Sequence, residues 1–383
     1  MRNLQSLPNG WRKVKLGEWI ELKYGFGLSE EKRVKGNVPV YGSSGIVGYH
    51  NKPAVNTQGI IIGRKGNVGA VYFSNKSFYP IDTVYFIDAL KKKGDLKFFY
   101  YLLKTIDFKK VDINVGVPGL NRDTAHSLEV TIPEDINEQK RIAEVLSAFD
   151  EKIEVNNKII KTLEEMAQEI FKEWFNKNLK FKSQNAKLEE WEIGYLGDGI
   201  YSEIIKPKVK KFEGEKIYLA TADVEKNEII NEKTKISYDN RPIRANMEPV
   251  LNSIWFAKMI NTYKVLFFFE GNKENIEKYI LSTGFMGIKA LKNMQYYLYL
   301  FINSKKFHQI KDTLVQGAVQ EAITNTNVKQ IKFLVPPADL INKFNEKVEP
   351  LLIKAYRLKK ENQTLAALRD LLLPKLMNGE IRV

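Results

Sequence analysis

The chain has 383 residues, no cysteine, three histidines and a formal net charge of +14. Without cysteine there are no disulfides and no thiolate metal sites, and no stretch approaches 18 uncharged apolar residues, so no transmembrane helix is expected. The opening, MRNLQSLPNGWRKVKLG, lacks the apolar core of a signal peptide, which predicts a cytoplasmic protein.

Residues 1–133 carry 20 Lys and Arg against 11 Asp and Glu, a balance of +9. They open on Trp11-Arg-Lys-Val-Lys-Leu16-Gly17. Short β-branched or aromatic runs follow, at Pro39–Tyr41, Gly59–Gly63, Asp82–Ile87 and Leu128–Ile132, separated by Gly, Asn and Pro, which reads as strands and tight turns. A short helix is predicted over Leu96–Leu103, and the block closes on Gly116-Val-Pro-Gly-Leu120-Asn121-Arg122 and Pro133.

A long helix is predicted over Asn137–Phe175, with a 4-3 spacing at Ile142, Leu146, Phe149, Ile153, Asn156, Ile160, Leu163, Ala167, Ile170 and Trp174. That heptad pattern is a seam for a partner helix. Glu134 and Asp135 precede it, where the helix dipole favours negative charge. Asn156 either sets register or marks a gap in the packing. Residues 134–180 hold 8 basic against 11 acidic side chains (−3), so this helix is acidic between basic blocks.

Residues 180–190 are polar and read as a linker. Trp191-Glu-Ile-Gly-Tyr-Leu196-Gly197 then repeats the opening 180 residues on. Residues 181–335 hold 23 basic against 18 acidic residues (+5), with strands predicted at Lys216–Ala220, Pro249–Ile254, Tyr263–Phe269 and Ile331–Val335 and a helix at Gln295–Ile310. Gly317-Ala-Val-Gln320 leads to Ile323, which precedes Pro336 by 13 residues, as Leu120 precedes Pro133. A second seam follows at Phe344, Val348, Leu351, Ala355, Leu358, Asn362, Leu365 and Leu372 within Asn342–Leu376. Leu146 and Val348, Phe149 and Leu351, and Ile153 and Ala355 all lie 202 apart. The chain is two copies of one unit, a globular block followed by a long helix. The middles of the two copies differ, as expected of one scaffold presenting two surfaces.

Patterns for catalysis are missing. Gly42-x-x-Gly45-x-x-Gly48 does not have dinucleotide-loop spacing. No GxxxxGK[ST] loop, no Asn/Asp-Pro-Pro-aromatic signature and no metal-spaced histidine pair is present; His50, His126 and His308 read as structural or exposed. The polar turns are better candidates, for binding. Arg64-Lys65-Gly66-Asn67 ends an apolar run, so it presents two cations on a compact turn, suited to phosphate or a base edge; a solvated hairpin tip is the alternative. Tyr41, Ser43 and Ser44 on the preceding turn line the same face. Asn121 and Arg122 lie before the last strand of block one, and Arg241, Arg244 and Lys258 are the candidates in block two. Phe171, Phe175 and Leu373 are off-seam residues that either meet a partner or bury against the globular blocks.

The Trp11…Leu16-Gly17 and Trp191…Leu196-Gly197 openings, the Leu120-Asn121-Arg122…Pro133 close and Glu138-Gln-Lys-Arg-Ile-Ala143 come in a characteristic order. With Leu281-Ser-Thr-Gly284-Phe285 and the terminal Leu371-Leu-Leu-Pro374-Lys-Leu-Met-Asn-Gly379, they resemble the specificity subunit of type I restriction–modification systems over essentially the whole chain. The second copy departs after its proline, with Ile341-Asn-Lys-Phe344 in place of the Glu-Gln-Lys-Arg-Ile run. The resemblance implies an α+β fold: two similar mixed α/β target recognition domains, residues 1–133 and 181–336, separated by long helices, residues 134–180 and 337–383, that pack as an antiparallel coiled coil. It implies a chain that is not an enzyme and binds no cofactor or metal. Its partners would be double-stranded DNA with a bipartite asymmetric site, two methyltransferase subunits using S-adenosylmethionine, and restriction subunits using ATP and Mg, with no membrane. The competing classes are a coiled-coil scaffold with no DNA role, against which the basic excess counts, and a DNA-modifying enzyme fragment, for which no motif is present.

Overall fold

The computed structural model describes residues 7–111, 119–176, 191–315 and 321–383. Gly116–Pro118, the whole of the 180–190 linker and Gly317–Gln320 lie outside the described residues. The chain divides into two compact units, Met1–Val155 with Asn362–Val383, and Asn156–Glu361.

Unit 1 starts with β1 (Trp11–Lys15), β2 (Lys23–Tyr24), β3 (Val38–Gly42), β4 (Gly45–His50), β5 (Gly59–Gly63), β6 (Val71–Ser74), β7 (Tyr79–Pro80) and β8 (Val84–Ile87). Helices α1 (Leu96–Lys104), α2 (Phe108–Val111) and α3 (Arg122–Ser127) follow, then β9 (Glu129–Pro133) and the long helix α4 (Ile136–Phe171), which belongs to unit 2 from Asn156 onward and ends in a π-turn at Lys172–Asn176. One sheet has the order β2-β8-β5-β6 and a second β4-β3-β7, with β3 and β7 parallel. The Ile60-Ile61-Ile62 run of β5 needs no polar face because it is buried on both sides. Ile60 and Ile62 share a core with Phe98, Phe99 and Leu103 of α1, while Ile61 packs with Tyr41, Phe78 and Phe86. Each such side chain contributes about 1.5–3 kcal/mol when fully buried. Asp95 caps α1, its carboxylate accepting from the Phe98 N–H at 2.7 Å.

Unit 2 contains β10 (Glu192–Tyr195), β11 (Ser202–Ile205), β12 (Lys216–Leu219), β13 (Val224–Glu225), β14 (Glu228–Ile229), β15 (Lys235–Ile236), β16 (Ala245–Met247), β17 (Ser253–Ala257), β18 (Val265–Phe268), α5 (Glu274–Lys278), β19 (Tyr279–Ser282) and β20 (Phe285–Ala290). It closes with α6 (Gln295–Ile302), α7 (Lys305–Val315), α8 (Asn325–Val328), β21 (Lys332–Val335) and α9 (Ala338–Met377), whose end belongs to unit 1. Its sheets run β11-β20-β17-β18 and β15-β12-β19-β16. The first repeats β2-β8-β5-β6 strand for strand, and the parallel pair β12–β19 repeats β3–β7. Layering repeats as well: Ile254 and Phe256 of β17 share a core with α6, and Trp255 faces Leu219 and Tyr279. The duplication therefore extends through the middles, where the sequences have diverged.

The same clasp closes both blocks. Trp11 opposes Pro133 in the β1–β9 ladder, and Glu192 opposes Val335 in the β10–β21 ladder. The Leu16 N–H donates to the Leu128 carbonyl at 2.8 Å, and the Leu196 N–H to the Ile331 carbonyl at 2.9 Å. The Glu-Gln pair after Pro133 serves this clasp. Glu138 accepts from the Trp11 indole N–H at 3.0 Å. Gln139, fully buried, donates to the Pro133 carbonyl and accepts from the Asp95 N–H, both at 3.0 Å. In the second copy Asn345, which donates to the Asn293 carbonyl at 2.7 Å, ties its helix to the start of α6.

The two long helices pack antiparallel in each unit. In unit 1, Ile142 and Leu146 share a core with Leu376 and Met377, and the Arg369 guanidinium binds Asp150 further along. In unit 2, Lys359 pairs with Glu164 at 2.7 Å, and Phe344 meets Trp174 at a centroid distance of 6.0 Å. Of the predicted seam, Ile142, Leu146, Asn156, Ile160, Ala167, Phe344, Val348, Ala355 and Leu358 are buried. Phe149, Ile153, Leu163, Ile170, Trp174, Leu351, Asn362, Leu365 and Leu372 are partly so.

Some expectations shift. The helix predicted over Gln295–Ile310 is two helices, because Ser304 caps α7, its hydroxyl accepting from the Phe307 N–H at 3.2 Å. The strand predicted at Pro249–Ile254 begins at Ser253. Phe171, Phe175 and Leu373 are not surface contacts; the two phenylalanines lie in the core of unit 2 and Leu373 in that of unit 1.

Candidate nucleic-acid interface

In unit 1 the predicted turns converge. The β5–β6 loop is drawn tight by the Gly69 N–H donating to the Gly63 carbonyl at 2.8 Å. Gly66 and Gly69 adopt φ of +76° and +77°, a region that other residues enter at a cost. A Cβ on Gly66 would meet the Ser43 hydroxyl at 3.1 Å, so the Ser43-Ser44 turn lies against this loop. Lys65 bridges Gly119, and the Leu120 N–H donates to the Arg64 carbonyl at 2.9 Å. That bond brings in Asn121, whose side chain caps α3 by accepting from the Asp123 and Thr124 N–H groups. Ser44, Lys65, Asn67, Asn121 and Arg122 are exposed.

Arg64 is held in place. Its Nη2 donates to the Asp82 carbonyl at 2.6 Å. Its guanidinium lies 5.3 Å from the centroid of Tyr24 and 5.8 Å from that of Tyr85. Arg122 stacks on the same Tyr24 ring at 5.5 Å. Burial pushes the Tyr85 hydroxyl up to about 12, and it stays protonated and donates to the Leu120 carbonyl at 3.1 Å. Two arginines share an aromatic ring that is itself 52% exposed. Such a face suits a polyanion whose bases also stack.

Tyr41 does not belong to this face. It is 7% exposed and packs edge-on against Phe78, because all five residues of β3 are buried. Tyr24 and Tyr85 are the aromatic members that sequence reasoning missed; the alternation Tyr24-Gly-Phe-Gly27 was the available signal. The histidines are structural. His50 accepts from the Val34 N–H at 3.0 Å, His126 from the Leu22 N–H at 3.1 Å, and His308 is buried.

Unit 2 repeats the arrangement with other residues. Met259 bridges Ala322 and the Ile323 N–H donates to the Lys258 carbonyl at 3.0 Å, so Lys258 occupies the position that Arg64 holds in unit 1. Burial and then the nearby Lys206 lower the Lys258 ammonium pKa. Arg244 joins it through two backbone bonds: the Thr283 N–H donates to the Arg244 carbonyl and the Lys258 N–H to the Gly284 carbonyl. The loop after Lys258 is held by an internal cation rather than by glycines. Lys311 of α7 is 0% exposed and donates to the carbonyls of Met259 at 2.6 Å and Thr262 at 2.9 Å. Asp312 accepts from the Asn261 N–H and, at 2.9 Å, from the Tyr263 hydroxyl. Arg241 stacks 4.1 Å from the Tyr238 centroid.

Among the described residues no group of three or more His, Cys, Asp or Glu is placed to hold a metal ion, and no helix is long and apolar enough to cross a membrane.

Residues 8–165 match the family model of the type I restriction modification DNA specificity domain. The type I restriction enzyme MjaIX specificity subunit of Methanocaldococcus jannaschii is 27% identical over 327 residues, 78% of this chain and 72% of that protein. The chain is thus similar to type I restriction–modification specificity subunits, with the family model falling on its first block and the start of the long helix. The MjaVIII specificity subunit of the same organism is 23% identical over 98% of this chain and 94% of its own. The crystal structure of the S subunit from M. genitalium shares the fold, with a TM-score of 0.64 at 20% identity, covering 97% of this chain and 98% of that one. Within this shared fold, the match of Arg64 to Lys258 places unlike cations at equivalent positions of two copies.

Proposed function

We propose that this chain is the specificity subunit of a type I restriction–modification complex and reads DNA through two target recognition domains, residues 1–133 and 181–336, each taking one half of a bipartite asymmetric site. The observation that carries the reading is the matched cationic position, Arg64 in one copy and Lys258 in the other, each tied by the same backbone bond to the segment before the closing strand. Ser43, Ser44, Arg64, Lys65, Asn67, Asn121 and Arg122 contact DNA in the first domain, and Arg241, Arg244 and Lys258 in the second. Arginine takes guanine bidentately and lysine takes guanine or phosphate, so unlike residues at one position suit unlike half-sites.

The helices at 134–180 and 337–383 act as a spacer. The 36 residues of α4 span about 54 Å at about 1.5 Å per residue, and helix length sets the number of unread base pairs between half-sites. Ile159 and Met166 are exposed and one heptad apart on α4, which suits docking of a methyltransferase subunit. The chemistry belongs to partner subunits: methyl transfer from S-adenosylmethionine in two modification subunits, and ATP- and Mg-dependent translocation and cleavage in restriction subunits.

Mapping N6-methyladenine in the host with and without this gene tests the proposal. The expected result is one bipartite motif whose methylation disappears on deletion. Loss of no motif would refute it, and methyl transfer by the isolated chain would refute the non-catalytic role.

A further inference from the structure

Ile243 is 96% exposed, at the apex of a loop between Arg241 and Arg244. Single apolar side chains on a surface are common and by themselves mean little. This one differs in how it is held and where it stands. The Ala245 N–H donates to the Pro242 carbonyl at 2.8 Å, making Ile243 and Arg244 the centre of a tight turn that Pro242 stiffens. The Arg244 carbonyl accepts from the N–H groups of Asn246 at 3.0 Å and Thr283 at 2.9 Å. On the other side Arg241 stacks on Tyr238 and bonds its carbonyl, and Tyr238 packs edge-on against Phe212 at 5.9 Å. A half-buried stack at its base and the backbone bonds of the turn thus hold a branched aliphatic side chain out in water, beside the bonds that lead to Lys258.

We infer that Ile243 is a wedge that enters a base-pair step of the half-site read by the second domain, with Arg244 on the adjoining phosphate; this rests on the DNA-reading function proposed above. An aliphatic wedge partly unstacks a step and kinks the duplex, at a cost offset by the surface it buries and the contacts the bend allows. The turn is already ordered, so insertion spends little conformational entropy. Net charge favours the polyanion: Arg241, Arg244, Lys258 and Lys206 are all cations of this region, and Lys206 lies near enough to Lys258 to lower its pKa. The wedge favours flexible pyrimidine–purine steps and so contributes sequence preference without a hydrogen bond to a base.

The test uses the chain purified with its modification subunits and a randomised duplex library. Enriched duplexes are then remade with 2-aminopurine at successive steps of each half-site. We expect one step to brighten on binding. Ile243→Ser should abolish that signal and weaken binding about tenfold, the worth of burying one such side chain. Its salt dependence should be unchanged, because no charge is removed, whereas Arg244→Gln should lower the salt slope by about one. Ile243→Leu should restore most of the signal. An Ile243→Ser protein with wild-type affinity and fluorescence overturns the wedge. So does one that keeps both but loses its modification subunits, since Ile243 would then be a protein contact. If the wild-type complex enriches no sequence, the DNA-reading function itself fails, a result distinct from either.

Discussion

His308 should make the second unit acid-sensitive, by an amount that follows from its surroundings. The side chain sits on α7 with 7% of the residue exposed and Nδ1 buried without a hydrogen-bond partner. Tyr263 and Phe307 pack on its ring at centroid distances of 4.8 and 5.5 Å. Burial lowers its pKa from 6.5 to about 4, the Lys311 ammonium acts in the same direction, and the Asp312 carboxylate opposes them. Above pH 6.5 the imidazole is neutral in both the folded and unfolded chain and has no effect on their balance. Between 6.5 and about 4 the unfolded chain takes up a proton that the folded chain refuses, so stability falls as pH falls, and the loss levels off below about 4. A gap of about 2.5 units at about 1.36 kcal/mol each comes to about 3 kcal/mol. The perturbation is His308→Phe, which keeps an aromatic ring and removes the titration. Urea unfolding of both proteins from about pH 7.5 to about 4.5 gives the difference curve, in which the other titrating groups cancel. The variant should gain on the wild type by about 2–3 kcal/mol across that range. A flat difference would show that His308 is as solvated in the folded chain as in the unfolded one, and the burial argument would be refuted.

Removing Lys311 should loosen the loop that carries Lys258. Lys311→Met strands the Met259 and Thr262 carbonyls and leaves Asp312 without its neighbouring cation, and should cost about 3 kcal/mol in urea unfolding. Arg64→Ala and Lys258→Ala should each weaken DNA binding and lower the salt slope of log K by up to about one, read by titrations at several salt concentrations. Asn121→Ala removes the cap of α3 and should cost about 1 kcal/mol in thermal or urea unfolding. One heptad inserted in both α4 and α9 keeps the seam in phase and adds about 10 Å. The spacer in the methylated motif should lengthen by about three base pairs at 3.4 Å each, read from the host methylome. An unchanged spacer would mean the helices do not set it.

Much of the architecture could be read from the chain alone, because it rests on periodicity. The 4-3 spacing from Ile142 to Trp174 needs only a helix to become a stripe, and the matched openings at Trp11 and Trp191 announce the duplication before any contact is known. Gly63, Gly66 and Gly69 mark a loop that must turn tightly, so Arg64 and Lys65 were recognisable as presented cations. Burial on a strand was harder to read. Tyr41 looks like a turn residue beside two serines, yet β3 has a core on both sides. Nor does spacing disclose a residue that acts by enclosure. Lys311 reads as one more surface lysine until α7 packs it under the Ala257–Tyr263 loop, and Tyr24 gains its meaning only when Arg64 and Arg122, 58 residues apart, close on its ring. Local spacing and composition thus determined the two-copy plan, the helical seam and the turns. Which cations meet in space, which tyrosines lie beneath them and which lysine is buried were decided only by the tertiary structure, because these depend on contacts between segments far apart in the chain.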